Sequence, residues 1–105
     1  MDVLVLSTAW LNGFVVVSAA GEVDLIGKPL LYGCVRAALQ THPEGLLVID
    51  LSAVSFMDAQ GLSALVLSRQ HALHHQRALA LAGPSAAVRR LLQITALSGS
   101  FPLMA

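Results

Sequence analysis

The sequence is poor in charged residues. Charged side chains make up 11% of its 105 residues, and six Lys plus Arg balance six Asp plus Glu. This balance offers no basic surface to nucleic acid and no polybasic patch to an anionic membrane. Hydrophobic residues make up 56%, which is more apolar side chain than a domain of this size hides easily. We therefore expect exposed apolar surface that contacts a protein partner or a second copy of the chain.

Cysteine is almost absent. Cys34 is the only one, which excludes an intrachain disulfide and a cysteine metal cage, and we expect it to be a small buried residue on a helix. The apolar N-terminal stretch from Val3 to Ala20 contains no Lys or Arg and is interrupted by Asn12-Gly13, unlike a signal peptide. The other apolar runs fall short of the ~20 residues that cross a bilayer. These absences favour a cytoplasmic protein without a membrane-inserted segment.

Motifs of catalysis and of cofactor binding are also missing. Ser52, Ser55 and Ser63 could each be considered as nucleophiles, but no Gly-x-Ser-x-Gly elbow is present. No glycine-rich phosphate loop occurs either. The sequence therefore predicts neither an enzyme nor a bound cofactor.

Histidine is concentrated in one segment. His71 and His75 have the i, i+4 spacing by which two imidazoles reach one zinc ion, and His74 lies beside them. No cysteine, carboxylate or further histidine lies nearby in the sequence to complete a ligand set. We expect solvated or capping histidines at a helix end, and no metal site.

The N-terminal half of the chain is predicted to form a hairpin, a helix and a strand. Val3 to Ser7 and Phe14 to Ala19 are rich in Val and Leu and flank the turn signal Asn12-Gly13, with a loop that starts as early as Thr8. A helix follows, with Pro29 in its first turn. Its apolar positions repeat at helical spacing (Leu31, Cys34, Val35, Ala38 and Leu39), and Thr41-His42-Pro43-Glu44-Gly45 ends it.

The central strand and the second helix follow. Leu46 to Ile49 is a continuous apolar run, typical of a strand covered on both faces, and Asp50 is expected to close it. Asp58 is a good N-cap for a helix that begins at Ala59 and ends at about His75. One stripe of that helix is predicted to consist of Leu62, Leu65, Val66, Arg69 and Leu73.

The remaining chain adds a strand, a helix and a last short strand. Leu79 to Ala82 is a short apolar strand, Ser85 is a plausible cap, and Val88, Leu91 and Leu92 make the third helix amphipathic. A final strand is expected near Phe101 to Leu103. The chain is thus predicted to be a single α/β domain over residues 1–105. An N-terminal hairpin leads into a mixed sheet of four to five strands, covered by about three to four helices.

The strongest functional signal lies where the central strand gives way to the second helix. Open α/β folds place their sites at such junctions, so Asp58, Ala59, Gln60 and Gly61 are the leading candidates. Asp24, which follows the second strand, is the other carboxylate of interest. Both aspartates also have an ordinary structural interpretation: Asp24 is a turn residue, and Asp58 is a helix cap.

Three segments resemble the STAS family, the domains of bacterial anti-sigma factor antagonists and of sulfate-transporter tails. Val54-Ser55-Phe56-Met57-Asp58, followed by Gly61-Leu62, resembles the family signature. Gly21-Glu22-Val23-Asp24 resembles its Gly-Glu-hydrophobic-Asp turn, and Pro84 to Leu92 resembles its third-helix motif. The order and the separations fit along nearly the whole chain.

The resemblance implies partner switching. Such an antagonist binds an anti-sigma factor that is also a serine kinase of the histidine-kinase-like ATPase fold, displaces the sigma factor, and is released when phosphorylated. The implied partner-binding residues are Asp24, Asp58, Ala59, Gln60, Gly61 and Ser63.

The sequence departs from the family pattern at the phosphorylation site. The acceptor in the family is the Ser or Thr directly after the motif aspartate, and here that position is Ala59, which has no hydroxyl. Ser55 and Ser63 are the nearby substitutes. The alternative function is that of an accessory subunit of a lipid or solute transport complex, or of a STAS module that binds a small ligand.

Overall fold

The fold is a five-stranded sheet with helices in the connections. We describe it from a computed structural model that covers residues 3–95 together with residues 99, 101, 103 and 104. The described elements are β1 (Val5–Leu11), β2 (Phe14–Val23), α1 (Gly27–Thr41), β3 (Leu46–Met57), α2 (Ala59–His74), β4 (Leu79–Ala82), α3 (Ala86–Ile94) and β5 (Leu103–Met104). The strands lie in chain order; β1 pairs antiparallel with β2, and every later pair is parallel. The predicted α/β class and the mixed sheet are confirmed.

The N-terminal hairpin is longer than predicted. Its loop is only Asn12-Gly13, with φ values of 50° and 82°, and Leu11 pairs directly with Phe14. The expectation that the loop starts at Thr8 is therefore wrong, because Thr8 to Leu11 pair with β2 as a continuation of the strand. The second strand also extends beyond its predicted end, since Gly21 to Val23 belong to β2 and only Asp24 lies in the turn.

The central strand β3 runs much further than the predicted Leu46 to Ile49. Asp50 does not close it, because β2 continues alongside and its last residue, Val23, pairs with Met57. β4 accompanies β3 only as far as Asp50, so the second half of β3 has β2 as its partner strand. Two irregularities in the β2–β3 register, after Ser18 and after Gly21, accommodate this extension.

Helices α1 and α2 contact each other, and α1 packs on β2. Every second residue of β2 is buried, from Val15 to Val23, which is the pattern of a strand with one well-covered face. Leu47, Val48 and Ile49 of β3 are all buried, as predicted for a strand covered on both faces. The core is thus aliphatic and centred on β2, β3 and the inner faces of α1 and α2.

The helix ends agree well with the sequence, and the buried faces agree in part. α2 begins at Ala59 and its C-cap is His75, and Ser85 caps α3. The buried residues of α2 are Gly61, Leu62, Ala64, Leu65, Ser68 and Ala72. Leu73, predicted to lie in this stripe, is 54% exposed. The buried face runs through Ser68 and Ala72, and Leu73 lies about 100° around the helix from Ala72. Cys34 is only half-buried, at the side of α1 that faces β1.

The last strand lies slightly beyond its predicted position. β5 comprises Leu103–Met104 and pairs with Leu81 and Ala82 of β4. Phe101, predicted to start this strand, precedes it and is buried in the core. A two-residue strand has no periodicity to detect, so its bounds depend on the partner strand that it meets.

Candidate functional site

Two turns lie side by side where β2 and β3 end. The strands are parallel, and their last residues, Val23 and Met57, pair with each other. The next residue in each case is an aspartate, Asp24 after β2 and Asp58 after β3. We call this end of the sheet the carboxyl edge. The structure brings together the two carboxylates that the sequence singled out, although they are 34 positions apart in the numbering.

Asp58 caps α2 as predicted. Its Oδ1 accepts from the backbone N–H groups of Gln60, at 2.9 Å, and Gly61, at 3.1 Å. Its backbone is extended, with φ −111° and ψ −169°, as an N-cap requires. The carboxylate therefore satisfies two donors that the helix itself leaves unpaired, and its charge lies at the positive end of the helix dipole.

Asp24 makes similar hydrogen bonds in the turn before α1, although the N-cap of α1 is Ile26. Its Oδ1 accepts from the N–H groups of Ile26 and Gly27, both at 3.1 Å. Its carbonyl oxygen accepts from Lys28 N–H at 2.9 Å. The side chain thus shapes the turn from β2 into α1, and it is half-buried rather than fully exposed.

The two turns are joined by three contacts. The N–H of Asp58 donates to the carbonyl of Val23 at 3.4 Å, and Lys28 Nζ donates to Gln60 Oε1 at 3.4 Å. Gly61 lies against β2 so closely that a Cβ at this position would meet the carbonyl oxygen of Val23. Because of these contacts, the starts of α1 and α2 form one continuous surface.

The remaining predicted residues differ in accessibility. Ala59 is exposed at the first position of α2, Gln60 is half-buried by its contact with Lys28, and Gly61 is buried. Ser63, one turn into the helix, is half-buried, and Ser55 lies on an exposed part of β3. Ala59 is therefore the most accessible of these residues, and Asp24, Asp58, Gln60 and Ser63 are partly accessible.

Large apolar side chains flank the two turns, and the sequence reasoning did not single them out as site residues. Leu25 is 66% exposed, Ile26 77% and Phe56 46%. Beside Asp24, a groove of about 290 Å³ is lined by Val3, Leu4, Glu22, Asp24, Ile26, Gly27 and Leu30. The sequence does place Leu25 and Ile26 between the end of a strand and the start of a helix, outside the apolar repeat of either element. This position could have indicated that their side chains are exposed. The carboxyl edge therefore combines acidic groups with aliphatic surface, a composition suited to a protein partner.

The histidines lie at the opposite end of α2. The ring centroids of His71 and His75 are 4.6 Å apart, and the rings of His71 and Tyr32 are nearly perpendicular, with centroids 6.0 Å apart. Burial, with smaller contributions from His75, Arg36 and His74, lowers the pKa of His71. Among the described residues, no group of three or more His, Cys, Asp or Glu could hold a metal ion. In the same part of the chain, no helix has the length and apolar character needed to cross a membrane.

Comparison with known proteins identifies several anti-sigma factor antagonists as relatives. The chain is 36% identical to an anti-sigma-F factor antagonist, RsfB, of Mycobacterium tuberculosis over 66% of this chain and 56% of that protein. It is 38% identical to an anti-sigma-B factor antagonist of Listeria monocytogenes over 75% of this chain and 68% of that protein. A solved anti-sigma factor antagonist from Mycobacterium paratuberculosis superposes with a TM-score of 0.84 at 31% identity, covering 97% of this chain and 86% of that one.

The family assignment depends on more than these pairwise matches. The model of the STAS domain matches residues 7–105, which is nearly the whole chain. The motifs in the matched region occupy the positions described above, with the signature at the end of β3 and the start of α2. The chain therefore belongs to the STAS domain family.

Proposed function

We propose that this chain is an anti-sigma factor antagonist that acts in the cytoplasm in partner-switching control of transcription. Its partner in this proposal is an anti-sigma factor with the serine-kinase, histidine-kinase-like ATPase fold. The names of its relatives support the proposal. So does the carboxyl edge, where two turns held by aspartate hydrogen bonds lie beside exposed aliphatic side chains.

The observation that carries the proposal is the arrangement around Ala59. This residue is exposed at the start of α2, directly after the Asp58 cap. The backbone before and after it is held by the hydrogen bonds of Asp58 to Gln60, Gly61 and Val23. A turn held on both sides loses little conformational entropy when a partner binds it, which favours recognition. The docking surface in this proposal comprises Asp24, Asp58, Ala59, Gln60 and Ser63, with Gly61 buried beneath them.

Binding is proposed to be constitutive. A phosphoserine at position 59 would add about −1.5 to −2 charge beside the Asp58 carboxylate. The helix dipole tolerates that charge locally, but a partner surface that fits the unmodified turn does not. Ala59 cannot accept a phosphate, so the proposed antagonist stays bound where a phosphorylatable relative would be released.

The first experiment identifies the partner. Affinity purification of the tagged chain from its native cells, followed by mass spectrometry, is expected to recover a protein with a histidine-kinase-like ATPase domain. Recovery of an ATP-binding transport subunit instead would contradict the proposal and favour the transport-accessory role. The purified partner is then used in the two tests that follow.

The second experiment separates docking from helix capping at Asp58. Asp58→Ala removes the cap at about 1 kcal/mol of stability, and we expect it to weaken partner binding measured by calorimetry at least tenfold. Asp58→Asn keeps a good capping oxygen without the charge. Ile49→Val is the matched control, since its core change costs about 0.5–1.5 kcal/mol without altering the surface. If folded Asp58→Ala binds as tightly as Ile49→Val, Asp58 is a cap only.

The third experiment tests the absence of the switch. The wild type, Ala59→Ser and a Ser55→Ala, Ser63→Ala double variant are each incubated with the partner and ATP, and their intact masses are measured. We expect a phosphate on Ala59→Ser alone. A phosphate on the wild type that the double variant lacks would show that Ser55 or Ser63 has become the acceptor, and constitutive binding would be wrong.

A further inference from the structure

The outer strand of the hairpin, β1, presents an unusually apolar edge. Among the described strands, it is the first of the sheet and pairs only with β2. Six of its seven residues are exposed and the seventh, Leu6, is half-buried. The sequence contains no Lys, Arg, Asp or Glu from Val3 to Gly21 and no proline in the same range. Edge strands usually avoid pairing with another chain by means of charged residues, prolines or bulges. β1 contains neither a charged residue nor a proline.

The unpaired backbone groups of β1 follow from its register. In a hairpin with the two-residue loop Asn12-Gly13, the flanking residues Leu11 and Phe14 exchange hydrogen bonds. Hydrogen-bonded and non-hydrogen-bonded residue pairs then alternate along the two strands. The odd-numbered residues of β1 therefore direct their N–H and C=O groups at β2. Leu6, Thr8 and Trp10 direct theirs outward, away from the sheet. The edge thus offers three donors and three acceptors, and their regular spacing suits another extended strand.

We propose that β1 pairs antiparallel with β1 of a second copy about a twofold axis at Thr8, which joins two sheets into one. In this register, Thr8 exchanges two hydrogen bonds with Thr8 of the other copy, and Leu6 and Trp10 exchange two more on each side. All three outward-facing residues are then satisfied. Ser7 lies opposite Ala9, and Val5 lies opposite Leu11, so small residues meet small ones and aliphatic residues meet aliphatic ones.

The second copy is favoured over an unrelated strand because the edge complements itself. In this register Thr8 lies opposite its own equivalent, and every other position faces another residue of the same strand. Like charges brought together in this way destabilise a self-paired edge, but β1 has no charged residues. The cross-strand pair of Leu6 with Trp10 is of the aliphatic–aromatic kind, and Trp10 is 49% exposed in the single chain. Dimerisation would therefore bury apolar surface that the single chain leaves in water.

The helix beside β1 is compatible with this arrangement. The thiol of Cys34 lies 3.5 Å from the hydroxyl of Thr8, so this side of α1 borders the proposed axis. Leu30, Ala37 and Thr41 share that side at intervals of three and four residues, and none is charged. Gly33 has open space around it. The α1 helix of the second copy could therefore lie beside this side of α1 without facing a charged residue, and Leu30 is the largest side chain there.

The pairing has two structural consequences. A twofold pair uses β1 of both copies and closes, whereas pairing β1 of one copy with β5 of the next would build an open filament. Because the paired strands are antiparallel, the two carboxyl edges point in opposite directions. Each copy would keep its Asp58 turn accessible, so the dimer is compatible with the proposed docking site and does not depend on it.

Sedimentation equilibrium across a concentration series tests the pairing. We expect the wild type to move from its 11.0 kDa mass to twice that mass at micromolar concentrations or above, as suits a small interface. Thr8→Lys and Thr8→Asp each place like charges opposite one another at the axis, and each is expected to stay monomeric. An equimolar mixture of the two variants should recover the dimer mass, because opposite charges then meet across the axis.

Matched controls place the same charges elsewhere. Gln70→Lys and Gln70→Glu add a charge at an exposed position on α2, and both variants are expected to dimerise like the wild type. Circular dichroism checks that every variant is folded. A wild type that is monomeric throughout the series, a mixture that fails to recover the dimer, or assembly beyond two copies would each overturn the proposal.

Discussion

The two ends of the sheet stabilise their helix termini by opposite means. At the carboxyl edge, Asp24 and Asp58 each accept from N–H groups two or three residues ahead in the chain. At the other end, which we call the amino edge, Arg77 donates to the carbonyls of Leu39, His42 and Gly45 at 3.5, 2.9 and 2.8 Å. The partners of Arg77 lie 32 to 38 positions away.

The two edges therefore differ in role: the carboxyl edge is suited to docking, whereas Arg77 at the amino edge acts as a structural clamp, holding together segments far apart in the chain. At the carboxyl edge, hydrogen bonds to a neighbouring aspartate organise each turn, and Leu25, Ile26 and Ala59 are exposed. At the amino edge, one cation in the turn before β4 joins the end of α1 to the loop that precedes β3. A helix end has unpaired carbonyls and a partial negative charge, and a guanidinium with five donors can satisfy several of them at once. We expect three changes of the residues at these two edges to affect stability, the largest at the amino edge.

The largest effect is expected at the amino edge. Arg77→Ala removes three hydrogen bonds from a charged donor and leaves their carbonyls without it, so we expect a loss of roughly 3 kcal/mol in unfolding free energy. Urea denaturation followed by circular dichroism measures the loss. Arg90→Ala, at an exposed position on α3, is the control and should change little. If both variants unfold at the same urea concentration, Arg77 is not a clamp.

An intermediate effect is expected where the two turns of the carboxyl edge meet. Gly61→Ala inserts a methyl group against the carbonyl of Val23 and the side chain of Met57. Such overpacking costs about 1–3 kcal/mol. It should also separate the two turns and weaken partner binding. Gly33→Ala is the matched control, because it lies in α1 with nothing within 4 Å and should stabilise the helix by about 0.5–1 kcal/mol. Equal stability of the two variants would show that the turns tolerate separation.

The smallest effect is a dependence on pH at the amino edge. Because the folded chain lowers the pKa of His71, the unfolded chain binds more protons as the pH falls through about 6.5. Stability is therefore complete above that pH and declines below it. Urea midpoints at several pH values between about 7.5 and 5.5 should show the decline, and His71→Gln should reduce it. Arg36→Gln removes one of the charges that lower the pKa and should have a smaller effect in the same direction. A decline unchanged in His71→Gln would assign it to other groups.

The features that were predicted correctly from the sequence are local ones. The start of α2 at Ala59, the Asp58 and Ser85 caps, and the strand Leu79–Ala82 each depend on residues within one turn or one short run. The STAS resemblance also came from motifs of a few residues each. Residues so close in the chain are close in space whatever the fold, so their spacing alone carries the structural information.

What only the tertiary structure decided involves residues far apart in the chain. β3 continues past Asp50 because β2 lies alongside it, and no property of Asp50 itself indicates this. The role of Arg77 depends on carbonyls in another loop, and the contact of Lys28 with Gln60 depends on the pairing of the two strand ends. The uncharged run from Val3 to Gly21 is visible in the sequence, but the fold decides that β1 is an edge strand. Local sequence therefore determined the turns and helix starts, whereas packing determined which backbone groups and apolar side chains were left for a partner.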